Sequence, residues 1–225
     1  MEVIEKIPVD FDVDHVLSRL HVISGSADAN ELSSLVEEVR AAANPKAVFE
    51  VCHIGKRTDD TIEINGVVFT SRVLRINFED AYRVFAYIAT SGRELDELSE
   101  PGDTIRGYWL AELKQMALEA ALDRVCERIE TAYRPGKMAA MSPGSLADWP
   151  ISQQEQLFSL FGNVEDKIGV RLTDNFLMIP MKSISGIFFP TGTSFESCQL
   201  CPREKCRGRR AAYAPQLWKE RYAKP

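Results

Sequence analysis

A chain of 225 residues, 45% hydrophobic and 27% charged, has the composition of a folded domain able to bury one substantial core. Its net charge of −6 is unevenly spread: residues 201–225 carry eight Lys and Arg against two Glu, so the body of the chain is acidic. That balance excludes general affinity for nucleic acid or an anionic membrane as the main business of the fold. Residues 1–6 lack the basic-then-apolar run of a secretory signal. The longest apolar stretch, 176–181, is far below the roughly 20 residues that span a bilayer. A cytoplasmic protein is expected.

In chain order, residues 3–9 read as a short strand and 12–20 as a helix. Residues 28–43 form a second helix, stopped by Asn44-Pro45, where proline disfavours further helix. The apolar run 47–54 reads as a buried strand, and 61–69 as a hairpin turned by Asn65-Gly66. Residues 84–88 are another strand. The clearest helix spans 103–133, with Leu118, Leu122, Val125 and Ile129 at helical spacing and Pro135-Gly136 closing it. At 1.5 Å per residue it runs roughly 45 Å. Ser152 and Glu155 suggest a capping box opening a helix that buries Leu157, Phe158 and Phe161 and ends at Gly162. Residues 167–172 and 177–189 are strand-like. The fold class is α+β, a twisted, mostly antiparallel sheet with helices, over residues 1–195, followed by a cysteine-rich basic tail, 196–225.

Five cysteines are an odd number, and Cys198, Cys201 and Cys206 fall within nine residues. In a reducing compartment such crowding suggests metal or redox chemistry rather than a disulfide framework. Cys-x2-Cys-x4-Cys could wrap a tetrahedral zinc or one face of an iron–sulfur cluster. Neighbouring Arg203, Lys205, Arg207, Arg209 and Arg210 would offset thiolate charge. Cys52, His53 and Cys126 are candidates by type for a fourth ligand. Cys52 and Cys126 are otherwise buried small residues.

Three stretches carry a resemblance. Ser142-Pro143-Gly144-Ser145-Leu146-Ala147-Asp148-Trp149-Pro150 precedes the helix through Phe161. Ile168-Gly169-Val170-Arg171-Leu172-Thr173-Asp174 follows, and then Met178-Ile179-Pro180-Met181-Lys182-Ser183-Ile184-Ser185-Gly186. In order and spacing this block, 142–189, resembles the activation (reactivation) domain of cobalamin-dependent methionine synthase, here free-standing. The resemblance implies a domain that binds S-adenosylmethionine and docks over a cobalamin held by a partner, a corrinoid-binding protein or methyltransferase. An electron-donor protein is a further implied partner. It also implies that Glu119 on the long helix contacts the ligand and that Ser142, Pro143, Gly144 and Ser145 form the turn against it. Phe195 is either an aromatic at the ligand or a core residue.

Two departures stand out. Where the family has Arg-Pro-x-Pro-Gly-Tyr-Pro, this chain has Ala140 for the arginine that anchors the ligand's carboxylate and Ser145 for the tyrosine. Such a charged contact is typically worth ~1.5–3 kcal/mol. Arg134, six residues upstream, is a possible substitute. The leading expectation is an accessory protein that positions S-adenosylmethionine for reductive methylation of a partner's cob(II)alamin. The alternative is a non-catalytic docking or metal-binding module that kept the fold and lost the ligand.

Overall fold

The computed structural model describes residues 1–99, 104–206 and 208–223. The chain runs β1 (Glu2–Ile4), α1 (Val13–Arg19), α2 (Ala27–Ala42), β2 (Lys46–Arg57), β3 (Thr61–Ile64), β4 (Val67–Thr70), α3 (Arg72–Asn77), β5 (Arg83–Thr90) and α4 (Arg93–Glu97). The long α5 (Ile105–Tyr133) leads to β6 (Met138–Met141). Then come α6 (Gln154–Ser159), α7 (Val164–Ile168), the short pair β7 (Arg171–Leu172) and β8 (Met178–Ile179), and β9 (Ser183–Pro190). The tail holds short helical turns at Ser197–Leu200, α8 (Pro215–Leu217) and Trp218–Tyr222.

Seven strands form one antiparallel sheet in the order β4-β3-β2-β5-β9-β6, with β1 on β2. The 12-residue β2 is its axis: β1 takes residues 47–49 and β3 takes 54–57, while β5 pairs along 46–53. Alternation along β5 sends Phe85, Tyr87 and Ala89 beneath α5, where Leu118, Ala121, Val125 and Ile129 cover them. Val84, Ala86 and Ile88 face the opposite way, into the largest cluster, shared with α3, α6, α7 and Trp149. The first turns of α5 pack instead on α1 and α2 through Trp109, Leu110 and Leu113. No helix among the described residues is long and apolar enough to cross a membrane.

The α+β, mostly antiparallel class expected from the sequence is the one observed, and the Asn65-Gly66 turn has both residues at positive φ. The long helix is continuous from its cap at Thr104; the expected start at Asp103 lies outside the described residues. Four local readings need correction. The first strand covers only Glu2–Ile4. Residues 167 and 168, read as the start of a strand, instead end a helix at Val164–Ile168, because the Asn163 side chain accepts the Asp166 amide and Gly169 at φ 75° closes the turn. The 177–189 strand is split at Pro180 and Met181 into β8 and β9. No Ser152–Glu155 capping box forms: Ser152 sits in a tight turn at Ile151–Gln153 and the helix starts at Gln154.

Described residues of the 196–225 tail pack on the body. Leu200 and Tyr222 are buried in the same cluster as Trp149 and Phe189.

Candidate ligand cleft at the end of β6

β6 pairs with β9 from Met138↔Pro190 to Met141↔Ile187 and then stops, because Pro143 has no amide to continue the ladder. Ser142–Ser145 turns away with Gly144 at φ 79°, and a side chain there would press to 3.0 Å on Ile151. The Gly144 amide donates to Trp149 O (2.7 Å) and the Ser145 hydroxyl to Ser142 O (2.6 Å). The loop is fastened at both ends. Asp148 accepts from the Ser71 hydroxyl (2.5 Å) and the Val73 amide (2.9 Å), capping α3, and Gln153 bonds both the amide and carbonyl of Thr70. Buried Trp149 meets Phe69 edge-on.

Gly186 explains the Ser-Ile-Ser-Gly run. A Cβ there would lie 2.5 Å from Met141 O, 2.8 Å from the Tyr87 hydroxyl and 2.9 Å from Ser142 Oγ. Tyr87, wholly buried, hydrogen-bonds Ser142, and burial pushes its phenol up to about 12, so it stays neutral. The mid-sheet strand β5 thereby holds the first residue of the turn.

Because β6 ends at Met141, β9 residues 183–185 pair only with β5, at Thr90, Ala89 and Ile88. Their other edge borders a cleft of about 380 Å³ lined also by Ser142, Pro143, Phe176, Leu177 and Met178. Phe176 stands at φ 61°, a strained position for an aromatic residue. It closes the turn between β7 and β8, its amide donating to Thr173 O (2.9 Å), and buried Gln154 ties it to β9, donating to Phe176 O (3.1 Å) while accepting from Ser185 (3.2 Å). Met181, 82% exposed, also lines a second cleft of about 490 Å³ with Lys182, Lys114 and Tyr108. Lys114 donates to Leu98 O (2.6 Å), and burial lowers its pKa, as does Lys182 nearby, against the opposing pull of Asp96.

Residues 124–200 match the family model of the vitamin B12-dependent methionine synthase activation domain. The resemblance read from the sequence holds. Over 87% of its length the chain also shares the fold of a solved structure, the MetH reactivation domain bound to AdoHcy, covering 80% of that chain with a TM-score of 0.64 at 17% identity. No curated protein matches the chain. The activation-domain match starts inside α5 and takes in the whole cleft-building block.

The other residues expected at the ligand site lie apart from the clefts. Glu119 lines neither. It is gripped by Arg19 of α1 (2.8 and 3.1 Å) and touched by Gln115 (3.3 Å), and the Arg19 bond lowers its pKa. Phe195 is core, 5% exposed against Phe189 and Tyr222. Ala140 packs toward α5 with only a methyl to offer, and exposed Arg134 caps the end of α5, at the other end of β6 from Ser142. Sequence reasoning missed Phe176, Gln154, Met181 and Lys182 as cleft residues, although the last two lie inside the matched motif.

Among the described residues no three His, Cys, Asp or Glu side chains are gathered to hold a metal ion. Cys198 and Cys201 are half-buried and Cys206 exposed, all as free thiols. The loop they bound is filled by the Arg209 guanidinium, which donates to the carbonyls of Cys198 (3.2 Å), Cys201 (3.3 Å), Ala211 (3.1 Å) and Arg203. Arg207 lies outside the described residues. A larger groove of about 950 Å³ opens by Pro190 and the α3–β5 turn, but three of its lining arginines are committed within the protein, Arg72 to the Tyr222 carbonyl, Arg83 to that of Tyr133 and Arg75 to Glu79, and Arg221 lies over the Tyr222 ring.

Proposed function

We propose that this chain is an accessory reactivation protein for a corrinoid-dependent methyltransferase, binding S-adenosylmethionine in the cleft between the 142–145 turn and the Phe176 wall. The supporting observation is that the block matched by the activation-domain family is also the block that builds an apolar cleft against an unpaired strand edge. A nucleoside fits such a place: its base needs apolar faces and backbone partners for its edge. The bound ligand supplies a methyl group as a cation equivalent. A partner's cob(II)alamin, one electron from a donor protein and that methyl group balance to methylcobalamin and S-adenosylhomocysteine. This chain's part is to position and to exclude water. Gly186 admits Ser142 to the sheet, Gln154 fixes the cleft wall, and exposed Leu177, Met181 and Ile151 surround the opening with an apolar rim suited to a partner's face.

Calorimetry with S-adenosylmethionine tests the first half of this reading, and spectroscopic return of an oxidised corrinoid protein to its methylated form, with a chemical reductant, tests the second. Saturable binding and ligand-dependent methylation are expected; absence of both sinks the proposal.

A second reading, a docking module with metal or iron–sulfur binding at Cys198, Cys201 and Cys206, is favoured by Ala140 and by the hold of Arg19 on Glu119. It requires anaerobically prepared protein to carry iron or zinc that is lost in Cys201→Ser, with no nucleoside bound.

A further inference from the structure

We infer that the two adjoining clefts bind one ligand in one direction, its base against Phe176 and the open β9 edge and its carboxylate at Lys182 and Lys114. This direction rests on the S-adenosylmethionine reading above.

The argument begins with where charge is absent. Among the described residues, no charged side chain lines the cleft beside Ser142. A carboxylate placed there would be desolvated without a cation, a costly arrangement. Among the described residues, the neighbouring cleft has Lys114 and Lys182 beside the carboxylate of Asp96, and hydroxyls at Ser99, Thr104 and Tyr108. Met181 borders both, and Lys182 follows it in the chain, so a ligand crossing Met181 meets Lys182 next. Both ammonium groups retain free donors. Lys114 uses one of three on Leu98 O, and Lys182 reaches Gln115 only at 3.4 Å. Ala140 supplies no cation and Arg19 is occupied with Glu119, which leaves these lysines as the specificity-determining cations of the paired clefts.

The base end is apolar and shaped. Phe176 and Met178 line the cleft together with Ser142 and Pro143, and the Phe176 carbonyl is held by Gln154. Backbone groups on the free side of 183–185 can meet the base edge as a strand would.

The test is calorimetry on the full chain with two probes, S-adenosylhomocysteine and methylthioadenosine, which keeps the base, ribose and thioether but lacks the amino-acid end. Lys182→Ala should weaken S-adenosylhomocysteine about tenfold or more, the scale of a charged hydrogen bond, and leave methylthioadenosine within about twofold. Lys182→Arg should restore the first, which separates lost charge from lost fold. Phe176→Ala should weaken both probes alike. If Lys182→Ala spares both, or weakens both equally, the direction is wrong although the binding reading survives. If the unaltered protein binds neither probe, the S-adenosylmethionine reading fails and the direction falls with it.

Discussion

The 142–189 block and the 196–223 tail both announce themselves in the sequence, one by a long ordered motif and the other by cysteine spacing, and the fold treats them differently. The block's unusual residues each meet a specific partner: Gly186 lets Ser142 and Tyr87 approach, Asp148 caps α3, and Gln154 joins Phe176 to Ser185. In the tail the apolar residues are anchored, Leu200 and Tyr222 in the core, while the thiols bound a loop filled by Arg209. Cysteine spacing states which ligands a segment could offer. Where the backbone carries them is set by what the neighbouring apolar residues bury.

If the tail is chiefly a packing element, its largest energetic residue is Tyr222, not a cysteine. The ring is 1% exposed and its hydroxyl donates to Asn77 Oδ1 (2.8 Å). Tyr222→Ala should cost ~3 kcal/mol in urea unfolding, the range for truncating a buried aromatic. Cys206→Ser, at an exposed position, should stay within about 0.5 kcal/mol. Equal losses from the two variants would reverse the comparison.

The buried thiols of the body should make stability depend on pH. Burial raises Cys52 from 9.0 to about 12 and Cys126 to about 11, and Tyr87 goes up to about 12 for the same cause. Raised folded-state values mean stability that is intact below the unfolded value near 9 and is lost as pH rises through the folded values. By pH 10.5 Cys52 alone should cost about 2 kcal/mol. Urea midpoints at pH 7.5 and 10.5 measure this, and a flat profile contradicts it. At neutral pH a thiol reagent should reach Cys206 first and Cys52 only on unfolding.

Within the block the cap is the sensitive joint. Asp148→Ala removes two hydrogen bonds at the start of α3 and should cost ~1–2 kcal/mol, as N-cap losses do. Asp148→Asn, which keeps an acceptor, should recover part of it.

How much was legible follows from the same contrast. The sheet strands β2 and β5, α5 and the Asn65-Gly66 hairpin were readable because apolar periodicity over many residues leaves one buried arrangement. The helix α3 was missed, because its start depends on Asp148, 75 residues downstream of Val73. Residues 167 and 168 were misread as strand because the five-residue helix they end is too short to show a period and its caps decide it. The turn at 142–145 was recognisable by resemblance. The opposite wall at Phe176 was not, since its positive φ closes the Thr173–Leu177 turn between β7 and β8 with an aromatic residue where a glycine or asparagine would have announced the turn.

Glu119 separates the two kinds of signal with the smallest effect. As a helix carboxylate in the expected register it suggested a ligand contact, yet Arg19 meets it with both terminal nitrogens and α1 is thereby tied to α5. The pair is roughly a third exposed on each side, so solvent screens it and Glu119→Gln should lower stability by less than 1 kcal/mol. Its lowered pKa gives the sign: that contribution is present above the ordinary carboxylate range and fades as pH falls through it. For ligand, a carboxylate already neutralised by Arg19 and outside both clefts should matter little, and S-adenosylhomocysteine affinity should change by less than about threefold in the variant. A loss of tenfold or more would place the ligand's amino group on Glu119. Arg19 would then be a gate to be displaced, and the first helix, which no family motif covers, would become part of the site.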